Sequence, residues 1–491
     1  MNLLKDPFIS TTQGKVSLKT LLTSDDDFQL QYYFDEIQLA MLQLLASLTT
    51  VILRPSLTDL RSFLANGVTK QQYDIALAAI DDQWFEADCF MQSQKPANTK
   101  FAEGPITKLI SGIECGGSQD ALGLFSEVKH ADVVCSDCVH VLNYNLHMNI
   151  KGECFGPTGA TGIRGGGAIS TLVSGKSLKN TILANTIALD YFHKSAHLDN
   201  DAENRFMWEL PPSGDFYLAQ KIGLARGLFA LAYHIDFKVV DLPCECDVCG
   251  HPSSQSVSTF SRVKYTGSYG STKNGREGSA GWWLHPYTPR SVKEDGTYAV
   301  CARDQHWQSW QELASYVIGK ETDKASVKPA FIVRQYTDGF LSPDAINLLI
   351  GGNIAKKGSI MGRVYDLYSM PSTLPKNLER VTLVIDVGLE QKERLSTAFN
   401  KIFGIGYDKN FVGGIKEQAM YRFVANAQQI VQKILLDVDR KEARLLRKDA
   451  THQLQREART IFTEIQRKYQ HDLPLFKALV KGEAVLLKSN T

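Results

Sequence analysis

Two Cys-x-x-Cys turns, Cys135-Ser-Asp-Cys138 and Cys246-Asp-Val-Cys249, constrain this chain more than any other feature. A tight turn of this kind presents two thiolates toward a common point, and two such turns supply the four sulfurs of a closed, structural zinc site. More than a hundred residues separate the turns. An ion held by both would join distant segments, and most of the loop-closure entropy must be met by folding. Cys244, two residues upstream, is an alternative ligand to Cys246. Two other readings compete: unrelated turns with buried free thiols, and a redox dithiol. Cys89, Cys115, Cys154 and Cys301 stand alone and read as core filler.

At 491 residues the chain has room for a large core and two or three domains. With 43% hydrophobic and 22% charged residues it reads as folded throughout. Lys plus Arg number 54 against 53 Asp plus Glu, so no global field draws it to nucleic acid or lipid, and an anionic partner must meet a local patch. The longest apolar stretch, Leu39 to Leu53, is interrupted by Gln43, Ser47, Thr49 and Thr50. It is shorter than the roughly 20 apolar residues of a spanning helix, so a buried helix over about 36 to 53 is expected and no membrane partner. The opening MNLLKDPFIS lacks the apolar core of a signal peptide. Cytoplasmic residence with reduced thiols is the expectation.

Six glycines fall among the fourteen residues Cys154 to Gly167, which predicts an irregular loop. Thr266 to Gly281 reads as an exposed loop carrying Lys273 and Arg276, and Ala330 to Tyr336 reads as a strand. A boundary is expected near Pro371 to Pro375, dividing a mixed α/β domain, 1–375, from a C-terminal unit, 376–491. After a strand-like ERVTLVIDVG at 379–388, helical periodicity over about 389–404, 415–437, 439–470 and 472–488 predicts a four-helix bundle. The fold class expected is therefore α+β. The third of these helices is basic, with Arg440, Lys441, Arg444, Arg447, Lys448, Arg456 and Arg459. It reads either as a solvated face or as a contact to a nucleic-acid backbone.

Signals for catalysis are weak. Ser170 to Ser177 ends like a phosphate loop but has Ser170 where the first glycine is required. His193 and His197 share a helical spacing, yet Lys194 stands where a zinc protease has its glutamate. No nucleophile elbow or EF-hand occurs, so a non-enzymatic role is expected.

The order of motifs resembles the CasA family, the large subunits of type I-E CRISPR Cascade surveillance complexes. The likeness is carried by MNLLKDPFI, Gly14-Lys-Val16, Phe90-Met-Gln92, the first cysteine turn and Gly162-Ile-Arg-Gly-Gly166. It continues through Arg226-Gly-Leu-Phe229, the CDVCG turn, Tyr265-Thr-Gly267, Trp283-Leu-His-Pro286, Ser309-Trp310, Leu349-Ile-Gly-Gly352 and the terminal helices. The resemblance implies a non-catalytic subunit that reads the protospacer-adjacent motif (PAM) of duplex DNA from the minor groove. It further implies that the subunit helps part the strands for the guide RNA, as in other effectors where protein reads the PAM and pairing reads the rest. The implied partners are other Cascade subunits, guide RNA, PAM-bearing duplex DNA and the recruited helicase-nuclease.

Residue by residue, the family's glycine loop falls on Phe155 to Gly159, with Gly156 and Gly159 allowing close approach and Pro157 standing where a glycine is usual. The lysine finger falls on Lys273. The strand-parting wedge falls on the turn Asn353 to Ile360, where Lys356-Lys357 replaces an Asn-Gln pair, which implies retained strand separation with altered PAM preference. Leu124 and Phe125 are the implied tip of the loop that anchors the subunit to the guide and the complex. Arg440, Lys441, Arg444, Arg447 and Lys448 would lie near the displaced strand, and Cys135, Cys138, Cys246 and Cys249 would hold Zn2+ as a clamp between the two PAM-reading loops. The rival reading is a zinc-braced scaffold that joins subunits without touching DNA.

Overall fold

The segment Asp35–Leu53 carries apolar residues all around its axis, as suits a helix enclosed in a core. In the computed structural model it is a helix with 83% of its most apolar window buried, so its hydropathy belongs to a core element. The chain reverses at Arg54, whose N–H bonds to Thr50 O from a left-handed conformation. The structure describes all residues except 94–99, 112–130, 151, 153, 156–158, 161, 166–167, 197–203, 212–215, 219–221, 266–267, 271–282, 293–297, 302–306, 318, 322–325, 339–340, 342–344, 357–358, 372–373, 403–408 and 488–491.

The chain divides into two compact units, one of residues 1–305, 319–342 and 348–366, the other of 306–318, 343–347 and 367–491. In the first, helix Asp35–Leu53 packs on helix Cys138–Met148, which is buried along its whole length. Beside them strand Ser256–Lys264 pairs antiparallel with Tyr233–Val240, Ala102–Pro105 and Val134–Cys135. A second sheet centres on Arg290–Val292, antiparallel to Tyr298–Val300 and Ser326–Lys328. A third orders Ser359–Pro371, Ala345–Lys356 and Ser170–Ser174 side by side.

In the second unit, helices Leu374–Asn400, Lys409–Leu435, Ala443–Lys468 and Leu473–Leu487 follow one another, the first packing on the other three. The class is α+β with a helical C-terminal region. Residues 379–388, expected as a strand, lie inside the first of these helices. Val381, Val384, Ile385 and Gly388 fall on one helical stripe, the three side chains are buried, and their packing outweighs the strand preference of β-branched residues. Residues Ala330 to Tyr336 are likewise helical, as Phe331–Thr337, because Ile332, Val333 and Tyr336 bury one face. Gln335 there is fully buried, accepting from Ala188 N at 2.8 Å and donating to Thr186 O at 3.2 Å. The helix expected from 439 begins at Ala443, so Arg440 and Lys441 sit in the preceding turn.

Trp310 is fully buried in the second unit and donates its indole N–H to Val424 O at 3.0 Å. Its ring lies against Gly388, where an added Cβ would meet ring atom Cζ3 at 2.6 Å. Gly388→Ala should therefore destabilise the protein by about 1–3 kcal/mol through overpacking, despite alanine's advantage of about 1 kcal/mol in a helix. Chemical denaturation checks this, and an unchanged midpoint would mean that the Trp310 contact yields freely.

Candidate metal centre and nucleic-acid loops

Cys135 ends strand Val134–Cys135, and Cys138 opens helix Cys138–Met148, so the first turn is fixed by a strand on one side and a helix on the other. Cys246 and Cys249 lie in the tip of a hairpin whose strands pair Cys244 with Ser253 and Glu245 with Pro252. Gly250 N closes that turn on Cys246 O at 2.7 Å. The two turns are tied by Asp247 N donating to Val133 O at 3.0 Å and Val133 N donating to Asp247 Oδ2 at 2.8 Å.

All four thiols are buried with their sulfurs within 4.8 Å of one another, and Cys135 Sγ lies 3.9 Å from Cys249 Sγ. Metal–sulfur bonds of about 2.3 Å in a tetrahedron separate sulfurs by about 3.8 Å, so the four residues can hold a metal ion. Cys244 is outside the cluster, its thiol donating to Gln255 O at 3.6 Å, and Cys246 occupies the fourth corner. The four thiols share hydrogen bonds unevenly. Hydrogen bonds from Cys135 hold the Cys246 and Cys249 thiols below the usual range, while the hydrogen bond with Cys135 helps hold Cys138 well above it. A bound divalent ion would favour the thiolate of all four.

The N-terminal segment latches onto this centre. Tyr33 N donates to Val248 O at 3.0 Å and Gln31 Nε2 to Cys249 O at 3.0 Å. Lys15 pairs with Asp137 and sets its ammonium 3.8 Å from Cys135 Sγ. Burial opposes that charge, but the Asp137 hydrogen bond and the neighbouring cysteines raise the Lys15 pKa above its ordinary value. The only sequence sign of this contact was the Gly14-Lys-Val16 motif.

Gly156 and Pro157 lie outside the described residues, and Gly159 is half-buried. Gly152 approaches Ala160 so closely that a Cβ would lie 2.5 Å from Ala160 O. Ala160 N donates to Tyr233 Oη at 2.6 Å, and the Arg262 guanidinium sits 4.0 Å above the Phe155 ring. Tyr233 and Arg262 belong to the paired strands Tyr233–Val240 and Ser256–Lys264, with Tyr233 opposite Lys264. Spacing alone offered no signal for either.

Lys273 and Arg276 lie outside the described residues. Part of the stretch expected as an exposed loop is instead strand Ser268–Gly270, parallel to Phe216–Leu218, because buried Tyr269 anchors it by donating to Leu231 O at 2.6 Å. At the stem, Tyr265 stacks on His234 with centroids 4.3 Å apart.

The expected turn at 353–360 is shorter than the sequence suggested. Strand Ala345–Lys356 runs on through Lys356 and resumes as Ser359–Pro371, with Lys357 outside the described residues. Asn353 is buried at the base and accepts from Arg363, and Arg363 also pairs with Asp35 at 2.8 Å and buried Glu36 at 3.3 Å. Glu36 further accepts from Ser111 Oγ and from Asn145 Nδ2, the latter at 2.9 Å. This network ties the hairpin to the core helix.

Leu124 and Phe125 lie outside the described residues. Of the basic cluster, Lys441 bridges Asp437 and Asp449 at 3.3 and 2.8 Å, and Arg447 pairs with Glu390 at 3.2 Å. Arg440, Arg444 and Lys448 are exposed and make no ion pair among the described residues. His193 is exposed on its helix and His197 lies outside the described residues. Cys89 is a free thiol and Cys301 is buried with its thiol donating to Pro289 O at 3.8 Å, whereas Cys154, expected as a lone reduced thiol, is disulfide-bonded.

A family model described as CRISPR-associated protein Cse1 matches residues 2–464. The fold is similar to that of Cse1 from Acidimicrobium ferrooxidans, with TM-score 0.68, 12% identity, and 99% of this chain and 96% of that one covered. It is similar also to CasA (Cse1) of Thermus thermophilus, at TM-score 0.66 and 13% identity with 99% of both chains covered. A chain from a structure described as a CRISPR RNA-guided surveillance complex matches at TM-score 0.69 and 14% identity, again with 99% of each covered.

Two outcomes test this geometry. Cys246→Ala should lose the bound metal, measured by elemental mass spectrometry, while Cys244→Ala retains it. The reverse result would reassign the fourth ligand. Arg363→Met should cost about 3–5 kcal/mol by leaving Glu36 buried and uncompensated, and Glu36→Gln in the same chain should recover much of that in urea denaturation.

Proposed function

The chain belongs to the family of CRISPR-associated protein Cse1, and on that premise we propose that it is the large, non-catalytic subunit of a type I-E Cascade surveillance complex acting in CRISPR interference. In this reading it works in the cytoplasm, reads the PAM of duplex DNA, opens the adjacent base pairs for guide RNA and helps recruit the helicase-nuclease. One observation supports it best: the neck of the 152–160 loop and the stem at Tyr265 both meet the Tyr233 end of one antiparallel pair of strands. Two loops leaving one rigid edge can address neighbouring positions in a groove, where small residues admit the backbone and a lysine donates to base-edge acceptors.

In this scheme Gly156, Pro157 and Gly159 follow the minor groove and Lys273 supplies the donor. Lys356 and Lys357 hold phosphates of the parted strands at the hairpin tip. Leu124 and Phe125 anchor the subunit beside the guide. The displaced strand passes the cations of the C-terminal unit, chiefly the exposed Arg440, Arg444 and Lys448, with Lys441 and Arg447 keeping their local carboxylates.

The ion proposed for the four thiols is zinc, which favours buried, all-thiolate tetrahedral sites with no position open to substrate. Helix Cys138–Met148 runs from the cluster for about 16 Å toward the glycine loop. Strand Ser256–Lys264 runs from its pairing with Cys135 for about 30 Å toward the lysine loop. The clamp therefore acts through rigid elements, and chelation should lower PAM binding and stability together.

The decisive experiment binds guide-loaded complex, with and without this subunit, to duplexes carrying a randomised PAM at fixed salt. Enrichment of particular PAMs is expected only with the subunit present. Independence from the subunit would leave a protein scaffold. Lys356→Ala/Lys357→Ala should flatten the slope of log affinity against log salt by about two and slow unwinding. Unchanged affinity and unwinding would exclude the hairpin from strand parting.

A further inference from the structure

Two guanidinium groups are sealed inside the first unit with no carboxylate partner among the described residues. Arg164 is 0% exposed and meets only neutral acceptors: Thr288 Oγ1 at 2.8 Å, Ser170 Oγ at 2.7 Å, Met148 O at 3.3 Å and the Asn149 side chain. Arg290, at the start of strand Arg290–Val292, is 1% exposed and donates from Nη1 to Arg164 O at 2.7 Å. Its Nε and Nη2 have no acceptor, and neither has Nε2 of His285, also 1% exposed. Burial followed by the nearby Arg164 charge pushes the Arg290 pKa down to about 9, and burial pushes Arg164 down to about 10.

A cavity of about 20 Å³ adjoins these groups, lined by His285, Thr288, Arg290, Lys328, Phe331 and Arg334 among others. Lys328 donates to the Tyr298 hydroxyl at 3.2 Å. Among the described residues the only carboxylate paired with a lining group is Asp338, 3.6 Å from Arg334. A buried charge without a counter-charge is unfavourable, and orphaned buried donors call for a partner.

We propose that this cavity is a binding site for a small monovalent inorganic anion of chloride's size, which supplies the missing counter-charge. The volume exceeds the roughly 10–15 Å³ that one water-sized particle needs, so a single small ion fits. Apolar walls from Phe192, Leu284 and Phe331 favour a weakly hydrated ion over a multiply charged one. The anion would brace the loop 284–290 against helix Phe331–Thr337 and the sheet beside it.

The test is thermal unfolding of the full chain at fixed pH and ionic strength as chloride or bromide replaces gluconate, with phosphate as a separate arm. Chloride and bromide should raise Tm saturably, by at least about 2 °C, through binding to the folded state. Arg290→Met should abolish that rise, while Arg444→Met on the C-terminal helices keeps it. If Arg290→Met fails to fold, bromide-soaked crystals of the unaltered protein should show an anomalous peak at the cavity. Equal Tm in all salts, a rise with phosphate alone, a rise that survives Arg290→Met, or no bromide peak would each overturn the site.

Discussion

Four thiols from turns more than a hundred residues apart meet in one buried cluster, and the first unit is organised around that junction. Closing so long a loop is entropically unfavourable, and four sulfurs alone do not offset it. Strand Val134–Cys135 pairs with Ser256–Lys264, helix Cys138–Met148 is buried on helix Asp35–Leu53, and the N-terminal segment bonds to the second turn through Tyr33 and Gln31. An ion at the centre would lock an arrangement that ordinary packing has already made.

The same elements carry the junction's rigidity outward. Strand Ser256–Lys264 touches the cysteine cluster at one end and, through Arg262 and the Tyr233 opposite Lys264, the neck of the glycine loop at the other. The hairpin Ala345–Lys356 and Ser359–Pro371 is held separately, by Arg363 on Asp35, Glu36 and Asn353. The loops proposed to meet DNA thus leave fixed bases, and a groove reader needs such bases so that its contacts are made without ordering a large segment first.

Charge is organised locally in a chain whose net charge is +1. Lys15 lies against the cysteine cluster, whose thiolates would otherwise concentrate negative charge when a divalent ion binds. Arg164 and Arg290 leave a positive interior beside a cavity, and Arg440, Arg444 and Lys448 leave a positive surface on the helical unit. These patches are invisible in a net charge, since only the fold decides which cations find carboxylates.

Elements whose signal is local could be read directly from the residues. The cysteine turns, the largely apolar core helix and the four C-terminal helices were legible because a chelating turn or a helical stripe is a matter of spacing over a few residues. Where local preference and packing disagreed, the sequence misled. Residues 379–388 and Ala330 to Tyr336 are rich in strand formers, yet each buries a helical stripe against neighbours that no local window contains. Tertiary structure alone decided that Cys246 rather than Cys244 completes the cluster. It alone also paired Arg363 with Glu36, set Tyr233 at the glycine-loop neck and left Arg290 Nε and Nη2 without an acceptor. Each depends on contacts between residues far apart in the chain, and such contacts exist only once the whole chain has folded.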